Sequence, residues 1–289
     1  MKIIEFSKLN GQGNDFILID ATVNHIKLSG DQITRMCDRN FGIGADGLIL
    51  VRPSKISDLK MEYYNRDGST AEMCGNGIRC LAKFAYENNL VSKKSKNFNI
   101  ETLSGIKKIF LNMEGDKVKN IKVNIGSPEF KPENIPVNVG DNKIKEVLNY
   151  KIKINSKEFV INGVSMGNPH CVIFLENNLD LDTFPVEKWG PKIENHKIFT
   201  NKTNVEFVRV KNNKELNIRI WERGVGETLA SGTGASAAAV CAIKLKKVST
   251  NKVTVNVRGG KLIITWNPRS NIVYMEGKVE HSFDGRYFL

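Results

Sequence analysis

Two short turns in the sequence combine an acid–base side chain with glycines where a helical pattern begins. The first is Cys-Gly-Asn-Gly at residues 74–77, and the second is Ser-Gly-Thr-Gly at residues 231–234. The N–H groups of a first helical turn lack carbonyl partners within the helix, so such a turn can bind a carboxylate. The same field favours the thiolate of Cys74, which makes it a candidate base or nucleophile. One turn of this kind is weak support for a site, because a small buried residue also suits a helix start.

Helical spacing follows each of these turns and also occurs once near the beginning of the chain. The apolar residues that share one face of the first helix are Ile78, Leu81, Ala82 and Ala85. The alanine-rich segment 235–247 follows the second turn. A weaker helix is predicted over residues 31–39, and its apolar side consists of Ile33, Met36 and Cys37.

Most of the remaining chain alternates apolar and polar residues over short stretches, which is typical of strands. The clearest predicted strands lie at residues 47–53, 97–102, 119–126, 158–166 and 252–266. The last of these contains Arg-Gly-Gly-Lys at 258–261, which predicts a hairpin turn.

The two helix-opening turns belong to an internal duplication, since Cys74 precedes Ser231 by 157 residues. Matching segments occur in one order in both halves: the Gly-Asn turns at 13–15 and 167–169, Gly47 and Asn204 at strand positions, Asn65-Arg66 and Glu222-Arg223, and the helix-opening turns. Four matches in the same order predict two copies of one fold. Proline and glycine cluster at 126–138, which predicts a domain boundary there.

The composition is that of a cytosolic globular protein. The chain has 289 residues, enough for two domains, and a formal net charge of +12. Lysine, asparagine and isoleucine are common throughout, so the charge indicates a solvated basic surface. Because basic and aromatic residues do not interleave, nucleic-acid binding is not expected. No long apolar run resembles a signal peptide or a membrane span, so we expect a cytoplasmic protein with no membrane partner.

The five cysteines indicate free thiols. They are Cys37, Cys74, Cys80, Cys171 and Cys241. An odd number in a chain of this size argues against a disulfide framework. No pair has the short spacing of a zinc site, so no structural metal is expected.

Several segments, taken together and in order, resemble diaminopimelate epimerase. They are GQGNDF (11–16), YNRDGSTAEMCGNGIRC (64–80), SMGNPHCV (165–172), TNVEF (203–207) and ERGVGETLASGTGASAAA (222–239). The resemblance implies an α+β fold of two pseudo-symmetric domains, each a bent, mostly antiparallel sheet around a central helix. It implies an N-terminal half at residues 1–128, joined by the C-terminal strand 277–289, and a C-terminal half at residues 129–276.

The resemblance also implies a reaction. Members of this family convert L,L-diaminopimelate to meso-diaminopimelate, for lysine and peptidoglycan precursors, by removing a proton from one face of the α-carbon and returning one to the other. No pyridoxal phosphate or other cofactor assists, so dipoles at the two helix starts must stabilise the developing charge. The expected partner is a diamino diacid, and the expected assembly is a homodimer.

Site residues carry over by position. Cys74 matches the first catalytic cysteine, and Ser231 occupies the position of the second. His170 and Glu222 match auxiliary polar groups. The residues that match substrate-binding positions are Asn14, Asn65, Gly75, Asn76, Asn168, Asn204, Arg223, Gly232 and Thr233.

The departure from the family pattern is Ser231, where the pattern has cysteine. A hydroxyl is far less acidic than a thiol, so Ser231 can donate a proton but is a poor base. The chain is then either an engineered, weakened variant or an enzyme that works with one thiol. Two other functions stay open: another racemase or a single-cysteine dehydratase of the same superfamily, and a scaffold that binds a ligand without turnover.

Overall fold

The computed structural model describes residues 3–140, 143–176 and 179–289. The chain forms two compact units: residues 1–124 with 276–289, and residues 125–275. The predicted boundary lay at 128/129. Met1 and Lys2, the first residues of the predicted N-terminal half, lie outside the described residues. Within the described ranges, no helix combines the length and the apolar character needed to cross a bilayer.

The elements of the first unit begin with β1 (Ile3–Gly11), β2 (Asn14–Asp20), α1 (Gly30–Cys37), β3 (Gly47–Arg52), β4 (Leu59–Asn65), β5 (Thr70–Ala71), α2 (Gly75–Glu87), β6 (Asn97–Thr102), β7 (Gly105–Glu114) and β8 (Lys117–Gly126). Those of the second unit are β9 (Tyr150–Ile154), β10 (Lys157–Ser165), β11 (Pro169–Phe174), α3 (Val186–Glu194), β12 (Asn204–Asn212), β13 (Glu215–Glu222), β14 (Gly226–Thr228), α4 (Gly232–Lys244), β15 (Lys252–Val257), β16 (Gly260–Asn267) and β17 (Ile272–Gly277). The last strand, β18 (Glu280–Phe288), belongs to the first unit and pairs antiparallel with β1.

Strand register repeats between the units, at an offset of 154 residues from β2 to β11 and of 157 residues for the later strands. In the first unit, β2 pairs parallel with β3 through Phe16 and Gly47. In the second, β11 pairs parallel with β12 through His170 and Asn204. The β4–β5 pair of Tyr63 with Ala71 recurs, 157 residues later, as the β13–β14 pair of Ile220 with Thr228. The internal duplication is therefore confirmed at the level of individual residue pairs.

The two central helices are equivalent in length and in the way they begin. Helices α2 and α4 each have 13 residues. Cys74 precedes α2 with φ −127° and ψ 124°, and Ser231 precedes α4 with φ −127° and ψ 123°. Each side chain accepts a hydrogen bond from the third residue of its helix, which is how an N-cap satisfies an otherwise unpaired N–H group. Each of these helices packs against strands of its own unit.

The predicted helices and strands are present, and one helix was missed. Helix α1 buries Ile33, Met36 and Cys37, as its spacing predicted. The segment 252–266 forms β15 and β16 with a two-residue turn. Helix α3 was not predicted, because Gly190 and Pro191 lower its helix propensity. Close packing explains Gly190, where a Cβ would approach the Trp221 ring to 2.5 Å.

Candidate active site

In the first unit, the start of α2 brings together four of the predicted site residues. The Cys74 Sγ accepts from Gly77 N at 3.5 Å and lies 3.6 Å from Asn14 Oδ1, to which its S–H can donate. Asn76 Nδ2 donates to the same oxygen at 3.2 Å. The helical ladder begins with Ile78 N, which donates to the Cys74 carbonyl at 2.9 Å. The N–H groups of Gly75 and Asn76 therefore belong to the first turn, which has no carbonyl partners within the helix.

A buried guanidinium lies beneath this turn. Arg79 is fully buried, and its Nη1 donates to the Gly75 carbonyl at 3.0 Å. Its Nη2 donates to Asn76 Oδ1 at 2.8 Å and to the Gln12 side chain. Burial lowers the Arg79 pKa to about 10, which still leaves the group charged at neutral pH. A fixed cation this close to Cys74 adds to the helix dipole and favours the thiolate.

Asn65, a further predicted substrate-binding residue, lies at the end of β4, where a turn begins. Its Nδ2 donates to Ser69 Oγ at 3.1 Å. The backbone N–H groups of Asn65 and Gly68 close this turn by donating to the carbonyls of Ser69 and Asn65. The contacts of Asn65 therefore tie it to its own turn.

In the second unit, Ser231 occupies the place that Cys74 has in the first. Its Oγ accepts from Gly234 N at 3.2 Å and lies 3.4 Å from Thr233 Oγ1. Ala235 N donates to the Ser231 carbonyl and starts the helical ladder. Gly232 and Thr233 are thus the first-turn residues of α4. Ser231 is buried, whereas Cys74 is half-buried.

A histidine–glutamate pair lies against the first turn of α4. The fully buried His170 and Glu206 meet through Nδ1 and Oε1 at 2.7 Å, so a proton must lie between these two atoms. His170 Nε2 lies 2.9 Å from Asn168 Oδ1. A Cβ on Gly234 would lie 2.9 Å from Glu206 Oε1, which places the carboxyl group directly beside the helix. Burial raises the Glu206 pKa, and hydrogen bonding to His170 offsets part of that rise.

The turn that carries Arg223 is fixed by hydrogen bonds to its backbone. Asn204 Oδ1 accepts from Arg223 N at 3.0 Å, and Asn204 Nδ2 donates to the Pro169 carbonyl at 2.8 Å. Glu194 Oε1 accepts from Gly224 N at 3.0 Å. Both ends of the Asn204 amide thus contact backbone, so this residue positions the turn. The Arg223 side chain is exposed, and its Nη1 donates to the Asn201 carbonyl at 3.0 Å.

Glu222 begins the same turn and is bonded within the β13–β14 hairpin. Thr228 Oγ1 donates to Glu222 Oε1 at 2.5 Å, and Glu222 pairs with Gly226 in the strand register. The contact is short, as hydrogen bonds to a carboxylate commonly are.

All five cysteines are free thiols, which agrees with the sequence-based prediction, and four of them are buried. Burial raises the pKa of Cys37 to about 12, and it also raises those of Cys80, Cys171 and Cys241. A thiol that resists ionisation reacts slowly. The half-buried Cys74 is thus the only one of the five that solvent reaches appreciably.

Sequence reasoning missed the polar groups that support these sites. Four of them are buried: Gln12, Arg79, Glu194 and Glu206. The fifth, Asp46, is half-buried. A signal existed for two of them. Arg79 interrupts an apolar helix face four residues after Gly75, and Glu206 interrupts the otherwise apolar strand 205–208. A charged residue within an apolar pattern is buried only when it is paired, so each interruption marks a possible supporting group.

Comparison with solved structures defines the fold class. A probable proline racemase from Agrobacterium radiobacter superposes with a TM-score of 0.71 at 12% identity, covering 99% of this chain and 93% of that one. A PhzF-family phenazine biosynthesis protein from Bacillus anthracis superposes with a TM-score of 0.69 at 16% identity over the whole of both chains. The α+β fold inferred from the sequence is therefore confirmed.

Sequence comparison then identifies the family within that fold. The family model described as diaminopimelate epimerase matches residues 6–131 and 163–282. The diaminopimelate epimerase of Acetivibrio thermocellus is 44% identical over 287 residues, which is 99% of both chains. That of Moorella thermoacetica is 46% identical over 289 residues, which is 99% of this chain and all of the other. The chain belongs to the diaminopimelate epimerase family.

Proposed function

We propose that this protein epimerises diaminopimelate between its L,L and meso forms, in the biosynthesis of lysine and peptidoglycan precursors, without a cofactor. The observation that carries the proposal is the equivalence of the helix starts in a chain of this family. Two helices of equal length each begin with a side chain that can exchange a proton, followed by a first turn of N–H groups suited to a carboxylate. Epimerisation needs one acid–base group for each face of the α-carbon, and each unit offers one.

In this proposal Cys74 takes a proton from one face, and Ser231 serves the other. The helix dipole and Arg79 favour the Cys74 thiolate, so Cys74 can act as a base at neutral pH. Ser231 has no comparable acidity, so it donates a proton more readily than it accepts one. Gly75, Asn76, Gly232 and Thr233 would bind the α-carboxylate through their backbone and stabilise the charge that develops as the α-proton leaves.

The remaining predicted residues would recognise the rest of the substrate. Asn14, Asn65, Asn168 and Arg223 supply the donors and acceptors that a distal amino acid group requires. Asn204 and Glu222 would act by holding the Arg223 turn, and His170 by holding Asn168. By the family resemblance, we also propose a cytoplasmic homodimer. Sedimentation velocity of the purified protein gives the mass of the assembly and tests whether it is a dimer.

Exchange of the α-hydrogen with solvent tests the proposed reaction. The protein is incubated in heavy water with L,L- or meso-diaminopimelate, and deuterium at the α-carbon and epimer composition are followed by NMR and chiral chromatography. We expect deuterium in the isomer whose α-hydrogen faces Cys74, and no exchange in Cys74→Ala. Binding without exchange in the parent would contradict the proposal and indicate a ligand-binding scaffold.

A single-cysteine dehydratase is the second candidate, and Ser231 is the observation that favours it. An enzyme that removes an α-proton without returning one needs only one base. A dehydratase expels a β-hydroxyl as water when it removes the α-proton, and diaminopimelate has no β-hydroxyl. The incubations are therefore extended to a β-hydroxy amino acid. Loss of water from that compound would indicate a dehydratase, whereas accumulation of the other diaminopimelate epimer would indicate an epimerase.

A further inference from the structure

Four charged side chains of the first unit form a cluster, and one of them contacts the amide of Asn14. Asp15 Oδ2 pairs with Lys8 at 2.8 Å, and Asp15 Oδ1 pairs with Arg39 at 2.8 Å. Arg39 also pairs with Asp46 Oδ1 at 2.8 Å. The other oxygen of Asp46, Oδ2, accepts from Asn14 Nδ2 at 2.8 Å and from Asp15 N at 3.2 Å. Asp46 therefore links the ion pairs to a residue that contacts Cys74.

This arrangement permits only one orientation of the Asn14 amide. An ionised carboxylate accepts hydrogen bonds and cannot donate them. The side of the amide that faces Asp46 must therefore be the NH2 group, so the carbonyl oxygen faces the Cys74 sulfur at 3.6 Å. A reversed amide would bring its oxygen against the Asp46 carboxylate and lose that hydrogen bond.

The hydrogen bonds beyond Asn14 require the same orientation. Asn76 Oδ1 accepts from Arg79 Nη2 at 2.8 Å, and a guanidinium can only donate. The Asn76 NH2 group must therefore face Asn14 Oδ1, where it lies at 3.2 Å. A carboxylate at one end and a guanidinium at the other thus fix both amides, and the Asn14 carbonyl oxygen stays beside the thiol.

We propose that Asp46 is a positioning residue for Cys74. Asp46 holds the Asn14 carbonyl oxygen toward the sulfur and thereby stabilises the protonated thiol. The inference rests on the proposed acid–base role of Cys74. A carbonyl oxygen accepts from S–H but repels a thiolate, whereas an amide NH2 group would donate to the thiolate. The effect opposes that of Arg79 and the helix dipole. A group that must both take and give a proton works best when neither form is strongly favoured.

Several charged or titratable groups surround this network. Arg79 and the Cys80 thiol interact with Cys74, and Arg39 and Asp15 contact Asp46. Lys8 is linked to Asp46 through Asp15. Removing the Asp46 charge would therefore favour the thiolate in two ways. It would remove a negative charge from the surroundings of the sulfur, and it would free the Asn14 amide to turn its NH2 group toward the thiolate. The experiment has to separate these two contributions.

The rate at which iodoacetamide alkylates Cys74, measured against pH by peptide mapping, reports its thiolate fraction. We expect Asp46→Asn to raise the rate at neutral pH roughly threefold to tenfold, as expected for the net contribution of one ordinary hydrogen bond, and to move the profile to lower pH. Asp15→Asn is the matched control. It removes an equal charge from the same ion pairs but leaves the Asn14–Asp46 contact in place, so we expect a smaller shift.

Repeating Asp46→Asn in an Asn14→Ala background isolates the contribution of the amide, because a double-mutant cycle measures coupling between the two residues. The additional shift should shrink to that of Asp15→Asn. An undiminished shift in this background, or equal shifts for Asp46→Asn and Asp15→Asn, would overturn the proposal.

Asn14→Ala alone keeps the test valid if Asp46→Asn does not fold. It removes the acceptor and leaves the ion pairs intact, so alkylation should again be faster, and an unchanged rate would count against the inference. Alkylation needs no substrate, so these outcomes do not depend on whether diaminopimelate is turned over. If the parent shows no α-hydrogen exchange but the alkylation profiles shift as expected, the proposed function fails and the role of Asp46 stands.

Discussion

The two units repeat one backbone but bury opposite charges beneath equivalent helices. The 157-residue offset carries Arg79 of α2 onto Ser236 of α4, and each donates to the carbonyl of the glycine that opens its helix. The offset also carries Ile49 onto Glu206. A Cβ on Gly77 would contact Ile49 Cδ1 at 3.1 Å, just as one on Gly234 would contact Glu206 Oε1.

This difference shows what the duplicated fold leaves free to vary. Backbone pairing and helix capping are the same in both units, because they depend on glycines and on register. The first unit has a cation beside a thiol, which favours a base. The second has the hydrogen-bonded His170–Glu206 pair against the first turn of α4. Identical helix starts thus acquire different acid–base properties from the side chains beneath them.

Replacing Ser231 by cysteine should remove the largest functional difference between the units. The change adds a second thiol where the parent has a weak base, and general acid–base catalysis typically contributes about 10²–10⁴-fold. We expect the parent to exchange mainly the isomer that faces Cys74, and Ser231→Cys to epimerise both isomers. Initial rates with both isomers, measured in the presence of reductant, test this.

The epimerisation rates of the parent protein could also contradict this expectation. If the parent already epimerises both isomers at full speed, and Ser231→Cys gains nothing, then a second thiol is not required. The proton for that face would have to move through Ser231 itself or another group, such as His170.

Converting the buried pair of the second unit into its first-unit counterpart should separate stability from activity. Glu206→Ile alone leaves His170 without its partner and should cost about 3–5 kcal/mol of unfolding free energy. The double variant His170→Phe/Glu206→Ile introduces the buried apolar residues that the first unit has at the equivalent positions, Phe16 and Ile49. It should recover most of that loss, because an apolar pair can replace a buried ionic one. All three tryptophans lie in the second unit, so their fluorescence reports its unfolding.

Activity of the double variant completes this test. We expect it to fold but to lose exchange on the Ser231 side, since Asn168 no longer has the His170 contact that holds it. Glu158→Gln is the control, because Glu158 forms an exposed pair with Lys151 and should change stability by less than about 1 kcal/mol. A double variant as unstable as Glu206→Ile would show that His170 and Glu206 do not act as a pair.

The sequence predicted the helices, most strands and the duplication because these depend on local patterns. Helix α1 and strand β6 match their predicted segments within two residues. The offset that relates Cys74 to Ser231 also predicted the equivalence of the helix starts. Spacing and turn chemistry decide such features without long-range contacts.

The sequence could not predict which side chains of the site position other residues. Asn204 matched a substrate-binding position, but its amide holds the Arg223 turn through contacts with two distant backbone segments. Asp46 and Glu206 were not selected, because the residues through which they support the site, Asn14 and His170, are 32 and 36 residues away in sequence. Such pairing depends on the parallel strand crossings, and nothing in the local pattern reveals them.

Arg223→Lys tests whether the exposed turn of the second unit binds substrate. A guanidinium can hold a carboxylate through two parallel hydrogen bonds, and an ammonium group cannot. We expect diaminopimelate binding to weaken by about 2–3 kcal/mol, as for loss of a charge-assisted hydrogen bond. Calorimetric titration measures this, with Arg269→Lys as a control at an exposed position. Unchanged affinity would place Arg223 outside the binding site.

The smallest expected effect is on the pH dependence of stability. It should differ in sign between one carboxyl group of the first unit, Asp15, and one of the second, Glu206. Burial alone would raise the Asp15 pKa, but hydrogen bonds from Arg39 and Lys8 outweigh it and lower the pKa from 3.8 to about 2. A lowered folded-state pKa stabilises the fold above the unfolded value, and this stability is lost as pH falls from about 4 to about 2. Asp15→Asn should therefore be about 1–2 kcal/mol less stable than the parent at pH 6, after allowing for partial exposure. That deficit should vanish near pH 2. Glu206 has the opposite sign, because its raised pKa gives stability at low pH that is lost as pH rises through the folded value. Urea unfolding from pH 2 to pH 6 measures this difference in pH dependence. Circular dichroism is the signal, because the tryptophans report only the second unit. A deficit for Asp15→Asn that stays constant with pH would mean that Asp15 contributes through packing and not through its charge.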